Sequence, residues 1–139
     1  MSTELAARGA ARVEWIRSRM PLLAATREEF AHSRPLEGQR VGMSLHLEPK
    51  TAVLLETLAA GGAEIVATGN HGSTQDDIVA FLRAGGMTVF GARDDDWDQH
   101  HVNVQSVIDA RPSILLDNSD LYWGREHFPV IAEMLRGTR

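Results

Sequence analysis

Apolar positions alternate in kind along the chain, first at helical spacing and then in short runs closed by glycine or proline. Residues 4–20 predict a helix with Leu5, Val13, Ile16 and Met20 on its buried side. Pro21 interrupts that pattern and suits the first position of a second helix reaching about Ala31. After the connector Ser33–Gln39, residues 40–47 predict a strand and 49–60 a helix. That helix carries Ala52, Leu55 and Ala59, or alternatively Val53 and Leu58, facing inward. Paired glycines then end it, and Glu64–Thr68 predicts a second strand. Ser73–Ala84 predicts a helix, Met87–Phe90 a strand, Asp98–Asp109 a helix and Ser113–Leu116 a fourth strand. A last helix is predicted over 121–135, kinked or restarted at Pro129.

Strands alternating with helices of this length predict an α/β fold. The expectation is a parallel sheet with helices on both faces, Rossmann-like or flavodoxin-like in three layers. An N-terminal helical segment, 1–36, precedes the α/β domain, 37–139. Ligands on such sheets bind at the carboxyl ends of strands near a switch in strand order. That rule selects the loops His46–Lys50, Gly69–Thr74, Gly91–Trp97 and Asp117–Asp120.

Composition narrows the function. The chain has 139 residues, enough for one domain that buries roughly two-thirds of its unfolded surface. Its formal charge is −5, against a phosphate-backbone binder, so no nucleic-acid partner is expected. The densest basic cluster, Arg8, Arg12, Arg17 and Arg19, has the spacing of a solvated helix face. Without cysteine, disulfides, zinc fingers and thiol catalysis are excluded. No apolar run nears the ~18–20 residues of a membrane span and no signal peptide is evident, so the expected location is cytoplasmic.

Within "SLHLEPKTA", Pro49 is explained as a helix starter and Glu48 by the helix dipole. His46 suits general acid–base chemistry near neutral pH, and Lys50 in the first turn asks for a partner or a ligand. Capping with surface charge and a binding site both fit these residues. In "GNHGSTQDD", Ser73 and Asp76 form a capping-box-like pair, and no phosphate-loop lysine follows. "RDDDWDQHH" lacks calcium-loop spacing, and adjacent His100 and His101 diverge by ~100° on a helix. No metal is expected there; the acids read as a solvated loop. Asp117, Asn118 and Asp120 suit either helix capping or ligand hydroxyls.

Four segments fall in one family's order: "MPLLAATREEFAHSRPLEGQRV", "LHLEPKTAVLLETLAAGGAEI", "STQDDIVAFL" and "LLDNSDL". Together they resemble the N-terminal part of the S-adenosylhomocysteine hydrolases, in the His-Leu-Glu-x-Lys-Thr-Ala branch. The resemblance implies chemistry at the 5′ position of a purine nucleoside or its 5′ thioether. In that family NAD oxidises the ribose 3′-hydroxyl, elimination expels the 5′ thiol, water adds and the hydride returns. It implies His46 as an acid or base at the 5′ leaving group. It places Glu48 and Lys50 on the purine edge, and Leu45, Ser73, Thr74 and Gln75 along the substrate cleft. A lysine only donates hydrogen bonds, so Lys50 points to an acceptor on the base such as the 6-oxo group of hypoxanthine.

Two departures qualify the carry-over. The family's fourth strand usually ends Asp-Asp-Gly-Gly/Ala-Asp-Leu; here Asp117 is followed by Asn118, which takes the place of the catalytic Asp. An amide is no carboxylate base. The family also continues past "LRGTR" into Glu-Glu-Thr-Thr-Thr-Gly and a Rossmann NAD domain, and no G-x-G-x-x-G occurs here. The expectation is therefore the substrate-binding subunit of a split hydrolase-like enzyme, inactive alone. A partner subunit would bring NAD, and the assembly would be an oligomer. The alternatives are a non-catalytic nucleoside-binding or regulatory module, a lyase or dehydratase variant of the same chemistry, and the first segment of a longer enzyme.

Overall fold

The computed structural model describes residues 2–118. Its elements run α1 (Ser2–Arg17), α2 (Pro21–Ser33), β1 (Arg40–Ser44), α3 (Pro49–Ala60), β2 (Glu64–Thr68), α4 (Asp76–Ala84), β3 (Thr88–Phe90), α5 (Trp97–Asp109) and β4 (Ile114–Asp117). The helix expected over 121–135, with Ser119 and Asp120, lies outside the described residues. All strand pairings are parallel, in the order β3-β2-β1-β4. The fold is α/β with helices against both faces, as the alternation of elements predicts.

The central strands β1 and β2 are buried on both sides, so they carry no apolar–polar alternation, while β3 and β4 are only partly covered. One face carries Val41, Met43, Ile65, Ala67 and Val89. They share a core with Ala52, Val53 and Leu55 of α3 and with Ile78, Val79 and Leu82 of α4. Val104, Val107 and Ile108 of α5 are buried as well but stand outside that cluster, against the opposite face. The chain steps β1→β2→β3 in one direction, then returns past β1 to place β4. With a constant crossover hand, the reversed step puts α5 on the other face.

Both inward stripes expected for α3 are used, because α3 lies between the sheet and the N-terminal helices. Ala52, Val53, Leu55 and Thr57 are buried, while Leu58 and Ala59 pack at the core's margin. The Thr57 hydroxyl donates to the Val53 carbonyl at 2.8 Å, which satisfies it inside the helix. α1 packs on α3 and α4 and contributes Val13 to the same core. Gly9 lets α1 approach so closely that a Cβ there would collide with the Asp77 carbonyl and sit 2.9 Å from Phe81 Cβ.

The arginine cluster stays largely exposed, as its spacing predicts, but three of its members are paired with acids of α3 and α4. Arg8 and Arg12 both reach Asp77, at 3.2 and 2.8 Å, and Arg17 holds Glu56 at 2.7 Å. Arg19 lies 4.3 Å above the Trp15 ring. Helical spacing groups the four residues correctly. What it misses is the acids that α3 and α4 bring beneath them. Burial pushes the Asp77 carboxyl up, but hydrogen bonds and charge from Arg12 and Arg8 outweigh it and hold it below the ordinary carboxylate value.

Two boundaries differ at the carboxyl edge of the sheet. β1 ends at Ser44 rather than at residue 47, because the chain turns at His46. The His46 carbonyl accepts from Glu48 N at 3.1 Å and from the Thr51 hydroxyl at 2.6 Å. α4 starts at Asp76, and its N-cap is Gln75 with no side-chain cap bond. Ser73 is therefore not the helix cap; its hydroxyl is engaged elsewhere.

Candidate active site

The strand order reverses between β1 and β4, so the switch point opens beyond Ser44 and Asp117, which pair in register. Leu47 is fully buried and anchors the corner, leaving the His46 side chain exposed above the strand ends. The loop after β2 delivers Asn70 and Ser73 to the same place. Gly69 permits this turn, since a Cβ there would run into the Thr74 side chain. Thr74 is buried and donates to the Asn70 carbonyl at 3.2 Å, fixing the loop.

The result is a continuous hydrogen-bonded row, Ser73–His46–Asn70–Asn118. His46 Nδ1 lies 2.6 Å from Ser73 Oγ, and His46 Nε2 lies 3.4 Å from Asn70 Nδ2. Asn70 Nδ2 also donates to Asn118 Oδ1 at 3.1 Å. An amide nitrogen only donates, so the Nε2 facing it is the unprotonated nitrogen. Nδ1 then carries the proton and donates to Ser73 Oγ, whose hydroxyl donates onward to the Asn70 carbonyl at 3.2 Å. The partners thus assign one tautomer, with the basic nitrogen turned toward Asn70 and Asn118.

The structure brings His46, Ser73 and Asn118 into one cluster, and Asp117 ends β4 directly below it, half-buried. Leu45 is half-buried between the strand and the corner. Glu48, Lys50 and Gln75 instead face an open groove, completed on its far side by Ala11, Arg12, Trp15 and Ile16 of α1. Glu48 is the N-cap residue of α3 by its backbone alone, since its carboxylate makes no capping bond. Lys50 is exposed and pairs with no acid among the described residues. Capping chemistry therefore leaves both charged groups unused.

Asn70 is the residue that sequence reasoning missed. Its only signal was position, in the loop after β2 that the switch-point rule selects. Beside it, His71 stacks on Trp97 with ring centroids 3.9 Å apart, and the buried His100 meets both rings edge-on. The acids of the β3–α5 loop organise backbone. Asp95 accepts from Ala92 N at 2.9 Å and Asn103 Nδ2 at 2.8 Å, and Asp96 caps α5 by accepting from Gln99 N at 2.8 Å. No three His, Asp or Glu side chains among the described residues are grouped to hold a metal. No described helix is long and apolar enough to cross a membrane.

The fold is of the α/β class, and its oriented imidazole stands at the switch point where such sheets bind ligands. The chain belongs to the S-adenosyl-L-homocysteine hydrolase family, whose family model matches residues 1–121. It is 45% identical over 136 residues to S-inosyl-L-homocysteine hydrolase of Methanopyrus kandleri, covering 96% of this chain and 32% of that protein. It is 42% identical over 111 residues to adenosylhomocysteinase of Thermotoga maritima, covering 79% of this chain and 28% of that one. The adenosylhomocysteinase of Archaeoglobus fulgidus is 43% identical over 111 residues, with 79% and 27% covered. The chain thus spans about a third of the length of these relatives.

Proposed function

We propose that this chain forms the 5′ side and base-reading side of a purine-nucleoside active site, as the substrate-binding subunit of a split S-adenosylhomocysteine hydrolase-like enzyme. The observation that carries this reading is the Ser73–His46–Asn70–Asn118 row at the switch point of a chain in that family. His46 is held in one tautomer yet exposed, which suits a group that exchanges a proton with a 5′ leaving group or with attacking water. Ser73 Oγ accepts from Nδ1–H, which orients the ring and stabilises the imidazolium formed when Nε2 gains a proton.

The remaining residues that act on the ribose, and NAD, come from additional polypeptide. The dinucleotide that the family uses does not fit the first strand–helix corner among the described residues. That corner, Ser44–Pro49, contains no glycine, and α3 starts on a proline that lacks an N–H for a phosphate. The test is purification from the native host with associated chains. A complex that carries NAD and cleaves a nucleoside 5′ thioether is expected; a chain that purifies alone, or a complex without NAD or nucleoside activity, overturns the reading.

The base is the second part of the proposal. Lys50 can only donate, which favours the 6-oxo group of hypoxanthine over the amino group of adenine. Relatives named for S-inosyl-homocysteine and for adenosyl-homocysteine both occur among the matches, so the discrimination rests on Lys50. Lys50→Met is expected to weaken inosine binding about tenfold more than adenosine binding, the scale of one charge-assisted hydrogen bond. Titrating both nucleosides against both proteins checks it, and a clear adenosine preference in the unaltered protein sinks it.

One observation favours a second reading, a non-catalytic nucleoside-binding module. Asn118 Oδ1 accepts from Asn70 where the family places a carboxylate, so the row lacks its acidic member. Between these two readings lies an elimination-only lyase. Product analysis of the complex distinguishes hydrolysis, elimination and no turnover.

A further inference from the structure

The groove that Glu48, Lys50 and Gln75 face has a second wall whose role the family chemistry does not assign. That wall is α1, and its side chains at the groove are Ala11, Arg12, Trp15 and Ile16. The groove encloses about 440 Å³, within the ~300–1,000 Å³ typical of small-ligand sites. Three features make it suited to a flat heteroaromatic ring. Trp15 is 58% exposed, unusual for the largest apolar side chain, and its ring borders the groove. Arg19 sits 4.3 Å above that ring, so the indole is held in place by a cation rather than by burial in the core. Gln75 Oε1 is buried without a hydrogen-bond partner, although its own backbone N–H is bound to the Leu47 carbonyl. A buried acceptor left unpaired is costly, and a ligand N–H relieves that cost.

We propose that the purine base lies in this groove, stacked on Trp15 of α1, with Gln75 Oε1 accepting from a base N–H. This inference rests on the reading of Glu48 and Lys50 as the groups that meet the purine edge. It adds that the N-terminal helix supplies the stacking surface. The division of labour follows from chemistry: every purine has a π face, so Trp15 contributes affinity without choosing the base. Lys50 and Glu48, at the ring's edge, choose it. The position of α1 is itself enforced by Arg8 and Arg12 on Asp77, one residue beyond Asp76 and two beyond Gln75. Both walls are therefore tied together at the N-terminus of α4.

The experiment is calorimetric titration of the full chain, and of its Trp15→Ala, Trp15→Phe and Lys50→Met variants, with inosine and adenosine separately. Trp15→Ala is expected to weaken both nucleosides by a similar factor, about tenfold, leaving their ratio within about twofold. Trp15→Phe is expected to recover most of the affinity. Thermal melts of each variant verify folding, which the exposure of Trp15 makes tolerant of the change. Unaltered affinity in Trp15→Ala, with Lys50→Met still shifting the inosine-to-adenosine ratio, overturns the stacking wall and leaves the base-edge reading standing. A change in that ratio on Trp15→Ala also overturns it. Failure of both nucleosides to bind overturns the stacking wall and the reading beneath it together.

Discussion

Replacing His46 with alanine is expected to lower turnover of a nucleoside 5′ thioether by about 10²–10⁴-fold in the assembled enzyme, the usual loss on removing a general acid–base group. The affinity for nucleoside should change little, because the imidazole is bonded to Ser73 and Asn70 and is not among the groove residues proposed to meet the base. The expected signature is therefore a fall in kcat with KM nearly constant. Asn70→Ala serves as the companion variant. It removes the donor that keeps Nε2 the unprotonated nitrogen and the link to Asn118, so it should lower kcat by less than His46→Ala does. Equal turnover in His46→Ala and the parent protein would remove His46 from the mechanism.

The second large effect concerns stability. Asp77 is buried and receives three N–H bonds within 3.2 Å from Arg8 and Arg12, the main polar tie between α1 and α4. Asp77→Asn keeps the shape but removes the charge, and should cost about 2 kcal/mol by chemical denaturation at neutral pH. Both arginines remain substantially exposed, so water offsets part of their loss and keeps the figure below that of a fully buried pair. The folded-state carboxyl titrates below its ordinary value. Its contribution is therefore complete above the unfolded pKa of about 3.9 and disappears as pH falls through the lower folded value. The stability difference between parent and Asp77→Asn should be flat from pH 7 to about 5 and shrink at more acid pH. A difference that grows on acidification contradicts the assignment. Because α1 forms one wall of the groove, the same variant should also weaken nucleoside binding.

Much of the architecture is readable in the order of residues. Pro21 and Pro49 start α2 and α3 where their missing N–H groups would have had no helical partner. Gly61–Gly62 and Gly85–Gly86 end α3 and α4, and β2 spans Glu64–Thr68 as its β-branched run predicts. The switch-point rule chose the loops that carry His46, Asn70, Ser73 and Asn118. These are local signals, in which a residue's own backbone preference decides the outcome.

Function at the site is legible only in part, for a reason visible in single residues. Ser73 followed by Asp76 satisfies a capping pattern, but His46, 27 positions earlier, competes for its hydroxyl and wins. Asn70 carries no motif, and it matters because it reaches Asn118, 48 positions later. Arg8 and Arg12 read as surface charges along one helix, and so they remain, but nothing local announces Asp77, 69 and 65 positions away, packed beneath them.

From the sequence alone came the parallel α/β class, the family, the loops at the carboxyl edge and the chemistry available at His46, Glu48 and Lys50. Those follow from backbone propensity, hydrophobic period and side-chain type, all of which act within a few residues. The tertiary structure decided the His46 tautomer, the part played by Asn70, the release of Ser73 from capping and the α1 wall facing Lys50. Each of these depends on hydrogen bonds and contacts between segments distant in the chain, which exist only once the sheet has brought its strand ends together.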